Sequence, residues 1–221
     1  MAQNKIHTVI FDLDGTLSDS AVLTAEAFKK VAPHFDLPLP TEEALHRATG
    51  YPNPEFYYIL YPGYPKSKIT EMGQMIEQEE LRILPSAGDR LLFKGCRELL
   101  IELKEKGIRL NIASTGDRDH VFSILDITGI DGLFDTVSCH HPDKTEMLGK
   151  MTETGDKNGY LMVGDMKKDY EAARGNGILS VGACYGYCRR DISDFDLYID
   201  EPLDLLEIIE NHGGKNAPYD N

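Results

Sequence analysis

Three observations in this 221-residue chain predict an α/β fold: a parallel sheet covered by helices on both faces and interrupted by one helical insertion. Short apolar runs alternate with amphipathic segments from residue 97 onward. No strand-like run occurs between Leu17 and Gly88. Polar, glycine-bearing loops follow directly on several apolar runs, which is where open α/β sheets place ligands.

The elements follow in order. Residues 6–11 read as a buried strand. Over Ala21–Val31 the pattern turns helical, with Leu23, Ala27, Phe28 and Val31 apolar and Pro33 ending it. Thr41 is a predicted N-cap for a helix over Glu42–Ala48. Gly50-Tyr51-Pro52-Asn53-Pro54 and Tyr61-Pro62-Gly63-Tyr64-Pro65 are loops of breakers. Residues 67–84 form a long helix with Ile69, Met72, Ile76 and Ile83 on or near one face, stopped by Pro85. Residues 97–106 are an amphipathic helix closed by Gly107, with Glu102 and Lys106 paired at i,i+4. Strands are predicted at 110–113, 136–139, 161–163, 180–183 and 197–199, and helices at 120–125, 144–151, 169–174 and 202–209. The tail from Asn211 is polar and expected to fray.

Composition narrows the function classes. The formal net charge is −14, so neither nucleic acid nor an anionic membrane is an expected partner. An anionic substrate must be held locally, by a metal, a lysine and backbone N–H groups. The first five residues are polar, and the next apolar run is too short for a signal peptide. No run approaches a membrane span. Four cysteines, Cys96, Cys139, Cys184 and Cys188, are too sparse for a disulfide framework and read as reduced thiols of a cytoplasmic protein. No four-ligand zinc spacing is evident at Cys139-His140-His141 or Cys184-x-x-x-Cys188.

Four features fall just beyond strands. Asp12-Leu13-Asp14-Gly15-Thr16-Leu17 follows the first. In extended chain, residues two apart point the same way, so Asp12 and Asp14 face one pocket. Such crowded carboxylates repel unless a cation is present or one is protonated. Ser114-Thr115-Gly116 follows the second strand, Lys144 the third, and Gly164-Asp165-x-x-x-Asp169 the fourth. Each alone is an ordinary turn or a surface lysine. Together, at one sheet edge, they supply carboxylates suited to Mg²⁺ and donors suited to a phosphate.

With these motifs the chain resembles the haloacid dehalogenase superfamily of phosphohydrolases, from about Ile6 to Gly186. The resemblance implies a Rossmann-like three-layer core (residues 1–16 and 89–221) and a small helical cap (17–88). The stretch Asp12 to Ser20, the cap position, Met162-Val163-Gly164-Asp165 and Gly182-x-x-Tyr185-Gly186-Tyr187 look most like the phosphoglycolate phosphatase-like branch. By the same resemblance Asp12 is the nucleophile and Asp14 the general acid/base. Ser114, Thr115, Gly116 and Lys144 bind the phosphoryl group. Mg²⁺ is held by Asp12, the Asp14 backbone carbonyl and Asp165, and Asp169 orients Lys144 or a metal-bound water. Asp14 must start protonated, so its pKa is expected to be raised by neighbouring negative charge.

The resemblance also sorts reaction classes. Dehalogenases of the superfamily lack an acid at the place of Asp14, so phosphate chemistry is favoured. Phosphonatases use a cap lysine, and Lys29, Lys30, Lys66 and Lys68 show no matching motif. Mutases of the β-phosphoglucomutase type carry a His soon after the first motif, and none occurs between Asp14 and Pro33. A non-catalytic phosphate-binding protein would not need both aspartates. The implied substrate is a small phosphorylated metabolite, with phosphoglycolate, a nucleotide, a sugar phosphate and pyrophosphate all open. Arg47, Tyr51 and Asn53 lie where related caps contact substrate. Tyr57, Tyr58 and Tyr61 are expected to pack the cap.

Overall fold

The structure, a computed structural model, describes residues 5–48, 51, 53–187 and 194–212. Of the features predicted above, residues 1–4, Gly50, Pro52, Cys188 and the tail from 213 lie outside them. The chain forms two compact units. One comprises the residues up to Ser18 and those from Leu92 onward, and the other is Asp19–Leu91.

The first strand, β1 (Thr8–Phe11), leads into the second unit, which is helical. Its helices are α1 (Ala21–Val31), α2 (Glu42–Ala48), α3 (Glu55–Leu60) and α4 (Lys66–Ile83). Thr41 caps α2 as predicted, its hydroxyl accepting from the Ala44 N–H at 3.2 Å. Phe28, Leu45, Tyr57, Tyr61, Ile69, Met72 and Ile76 make one buried cluster. Helix α3 was not predicted: its sequence, Glu-Phe-Tyr-Tyr-Ile-Leu, is aromatic and β-branched and has too few residues to show a period. It is anchored where Tyr57 packs closely on α4 at Gly73, which has no side chain; a Cβ there would fall 2.6 Å from the ring. Tyr57 and Tyr61 are buried, and Tyr58 packs partly buried with its hydroxyl 2.9 Å from that of Thr70.

The other unit resumes with α5 (Cys96–Glu105), β2 (Arg109–Ala113), α6 (Arg118–Thr128), β3 (Thr136–Ser138), α7 (Lys144–Thr152), β4 (Tyr160–Gly164), α8 (Lys167–Asn176), β5 (Leu179–Ala183), β6 (Leu197–Ile199) and α9 (Asp204–His212). The strands form one sheet in the order β3-β2-β1-β4-β5-β6, every pair parallel. Strands β1 and β4 are buried along their whole length and read as continuous apolar runs, as a sheet covered on both faces requires. The two edge strands, β3 and β6, are three residues long, which limits the open edge.

Helix ends moved where side chains cap them. Helix α8 begins two residues before the predicted start, because the Asp169 carboxylate accepts the Met166 N–H at 3.0 Å and ties down the first turn. Helix α9 begins two residues later than predicted. The Asp204 carboxylate accepts the N–H groups of Asp200 (3.1 Å) and Glu201 (3.0 Å), holding the preceding residues in a turn. Asn211 and His212 continue this helix rather than fraying. The Glu102–Lys106 pair forms at 3.4 Å, and Lys106 also reaches Glu210 at 3.0 Å. No described helix is long and apolar enough to cross a membrane. Cys96 and Cys139 are free thiols.

Candidate active site

The site sits at the carboxyl ends of β1, β2 and β4. Parallel register brings these ends level: Phe11 pairs with Ile112 on one side and Val163 on the other, so the residues just beyond converge. After β1 the chain turns tightly. The Leu13 carbonyl accepts from the N–H groups of Thr16, Leu17 and Ser18, while Leu13 and Leu17 are buried. Gly15 makes the turn possible twice over. Its φ is +85°, and a Cβ there would fall 2.5 Å from the Asp165 carboxylate. The β5 side approaches as closely, since a Cβ on Gly186 would clash with the Gly15 carbonyl and Asp165.

Lys144 is the hub. Its side chain is 2% exposed, and its ammonium donates to Asp12 Oδ1 at 2.7 Å and to Asp169 Oδ1. Burial opposes its charge, but the flanking Asp12 and Asp169 more than offset this, so the ammonium holds its proton more tightly than usual. Asp12 is pushed up to about 6, first by burial and then by the Asp169 charge, against the opposing pull of Lys144 and Lys168. Asp165 is raised well above the carboxylate range by burial and by Asp12 and Asp169; the Tyr187 N–H, donating at 2.9 Å, works the other way.

Oxygens of Asp12, Asp165 and Asp169 lie within 4.8 Å of one another, all buried. Three carboxylates face one buried lysine here. Fully ionised, the cluster keeps two uncompensated negative charges, which a divalent cation with oxygen ligands would balance. The residues therefore fit Mg²⁺. Asp169 has both oxygens committed, Oδ1 to Lys144 and Oδ2 to the Met166 N–H. Asp12 and Asp165 are left as the better-placed ligands.

The residues expected on the phosphate side make contacts of their own. Ser114 is buried, and its Oγ accepts the Gly116 N–H at 3.0 Å, so that amide is spent inside the loop. The Thr115 hydroxyl accepts from Lys168 Nζ at 3.0 Å. Lys168 was missed, although it stands beside Asp169 inside the fourth motif and brings a second cation near Asp12. Asp14 is met by the His120 imidazole, whose Nε2 lies 3.0 Å from Oδ1 and 3.1 Å from Oδ2. His120 is in the first turn of α6 and was also missed; its only sequence signal is its position six residues beyond Ser114.

In the helical unit, Tyr51 and Asn53 line a cleft of about 170 Å³ with Phe56, Tyr57 and Glu80. Asn53 donates to Glu77 Oε1 at 2.7 Å. Arg47 is exposed on α2 and is not part of that lining.

Comparison with known proteins agrees with this geometry. A family model described as haloacid dehalogenase-like hydrolase matches residues 9–183. A phosphoglycolate phosphatase of Synechococcus elongatus is 27% identical over 220 residues, covering 92% of this chain and 97% of the relative. Pyrophosphatase PpaX of Bacillus velezensis is also 27% identical over 220 residues, covering 94% and 98%. Among solved structures, a haloacid dehalogenase-like family hydrolase from Streptococcus pneumoniae matches with a TM-score of 0.73 at 24% identity, covering 92% of this chain and 98% of the other. That last likeness speaks for the fold.

Proposed function

The chain belongs to the haloacid dehalogenase-like hydrolase family, and on that premise we propose that this phosphatase cleaves small phosphate monoesters with Mg²⁺ through an aspartyl-phosphate on Asp12. The observation that carries the reading is the buried Lys144 ammonium held between Asp12 and Asp169, with Asp165 in the same cluster. An ionised Asp12 so fixed has one oxygen paired with Lys144.

In this reading Asp12 attacks phosphorus, splitting one hard displacement into two easier ones. Asp14 protonates the leaving alcohol and then takes a proton from the water that hydrolyses the intermediate. Lys144 neutralises charge on Asp12 and on the phosphoryl oxygens. Ser114 and the Thr115 N–H complete the cradle, with Lys168 adding charge from the Thr115 side. Asp12, the Asp14 carbonyl and Asp165 would hold Mg²⁺, while Asp169 fixes Lys144. The cation supplies charge neutralisation at the phosphoryl oxygens when bound.

Arg47, Tyr51 and Asn53 of the helical unit, read as a cap, would set substrate choice. The equal likeness to a pyrophosphatase favours pyrophosphate as a second candidate substrate. A reducing, cytoplasmic setting is the reading that the free thiols support. Phosphate release from a panel of monoesters and pyrophosphate, with Mg²⁺ or with chelator, tests the proposal. Metal-dependent release that Asp12→Asn lacks is expected. Release unchanged in that variant would overturn it.

A further inference from the structure

Strand β2 carries a residue that the active site does not use. Arg109, Asn111 and Ala113 share one face of the strand, and register sets Asn111 beside Ile10 and Thr136 on that face. Ile10, Ala113 and Met162 of the sheet join one apolar cluster with Met147 and Leu148 of α7 and Ala172 and Ala173 of α8. Asn111 is 7% exposed, and its carboxamide has no hydrogen-bond partner among the described residues; its polar atoms are not sealed off but open to the solvent side. A carboxamide held by an otherwise buried residue and open to water is available to a ligand that displaces that water.

Asn111 lines a cleft of about 440 Å³, a size that suits a small molecule. Residues of β2 and β3 form one side of it and residues of α7 another. Its lining also includes Thr136 and Ser138 from β3, Met151 from α7, and two exposed cations, Arg109 and Lys150. The one carboxylate in the lining, Asp135, is already engaged: it accepts from Lys104 Nζ at 3.0 Å and from the Leu110 N–H at 2.9 Å. On a protein of net charge −14, this cleft is locally cationic outside, apolar along one wall and amide-bearing inside.

We propose that the cleft binds a small organic carboxylate that carries a second hydrogen-bonding group at its far end. The carboxylate sits at Arg109 and Lys150, the apolar body lies along Met151, and the far group pairs with the Asn111 carboxamide. The site shares no lining residue with the Lys144 cluster.

The test is an NMR titration of the full chain with 4-hydroxybenzoate, benzoate and 4-hydroxybenzamide. It follows the Asn111 side-chain amide, assigned by its loss in Asn111→Leu, and the backbone amides of Thr136 and Ser138. Saturable shifts are expected there, with 4-hydroxybenzoate binding about tenfold tighter than benzoate, the usual scale for one buried hydrogen bond. The neutral benzamide should bind more weakly than either acid. Lys150→Gln should weaken both acids alike, and Asn111→Leu should erase the advantage of the hydroxyl while phosphate release stays unchanged. If Asn111→Leu does not fold, the ligand pair in the wild type and the exposed Lys150→Gln variant carry the same two comparisons. No saturable shift at these amides would overturn the proposal, as would equal affinity for all three probes or affinities indifferent to Lys150→Gln.

Discussion

The two units of this chain hold their important side chains in opposite ways. In the sheet unit, polar groups are buried and fixed by other polar groups: Lys144 by two carboxylates, Asp169 by Lys144 and the Met166 N–H, Asp165 by the Tyr187 N–H. In the helical unit the interior is aromatic and aliphatic, and the charged groups pair on the surface, as Lys30 and Arg82 do with Glu79 at 2.7 Å. Chemistry positions the first unit's key residues and packing positions the second's. Substitutions in the sheet unit should therefore move rates, and those in the helical unit should move stability or substrate choice.

The largest expected effect is on Asp12. Asp12→Asn should lower turnover by about 10⁴-fold or more, the scale for removing a nucleophile. Its melting temperature should not fall, because one of three crowded carboxylates loses its charge. Steady-state phosphate release and a thermal melt check both parts. A variant that melts early and turns over slowly would break the comparison at its strongest point.

Tyr57 is the counterpart in the helical unit. Its ring is buried against Gly73, so Tyr57→Ala should destabilise that unit by about 3–5 kcal/mol, as for other large aromatic truncations. Hydrogen exchange should show faster opening confined to residues 19–91. Equal opening of β1 and β4 would mean that the two units unfold together.

His120 probes the sheet unit on a finer scale. Set 3.0 Å from Asp14, the acid/base carboxylate of the proposed mechanism, it is placed to position that group without being buried itself. His120→Ala should lower kcat by about tenfold, well short of the 10²–10⁴-fold expected for Asp14→Asn. KM should change little, and His120→Gln should recover part of the loss. A KM effect with kcat intact would place His120 at the substrate instead.

How far sequence reached follows the same division. Strands β1 and β4 were legible because burial on both faces leaves near-continuous apolar runs, and the acidic motifs were legible because each follows such a run. Ala21–Val31 was legible residue for residue from its period. What sequence did not show was made by tertiary approach. Lys168 acts through a hydroxyl 53 residues away, and His120 through a carboxylate 106 residues away. Asn111 stands in an apolar strand as one polar letter, and only the register of β3 and the path of α7 reveal the cleft beside it. Helix α3 was hidden because six residues are too few for a period and its anchor is an absence, the missing side chain at Gly73.

The smallest expected effect, and the sharpest for the comparison, is on Arg47. It is exposed on α2, outside the lining of the Tyr51–Asn53 cleft. A guanidinium so placed gains little from an ion pair in water, so Arg47→Ala should raise KM by only about threefold. The increase should appear for carboxylate-bearing esters such as phosphoglycolate and not for uncharged alkyl phosphates. kcat and the melting temperature should stay as in the wild type. A uniform rise across the panel would remove Arg47 from substrate choice and leave Tyr51 and Asn53 to account for it. A fall in kcat would be more damaging, because a surface arginine of the helical unit would then be acting on the chemistry that Lys144 and its carboxylates are built to carry.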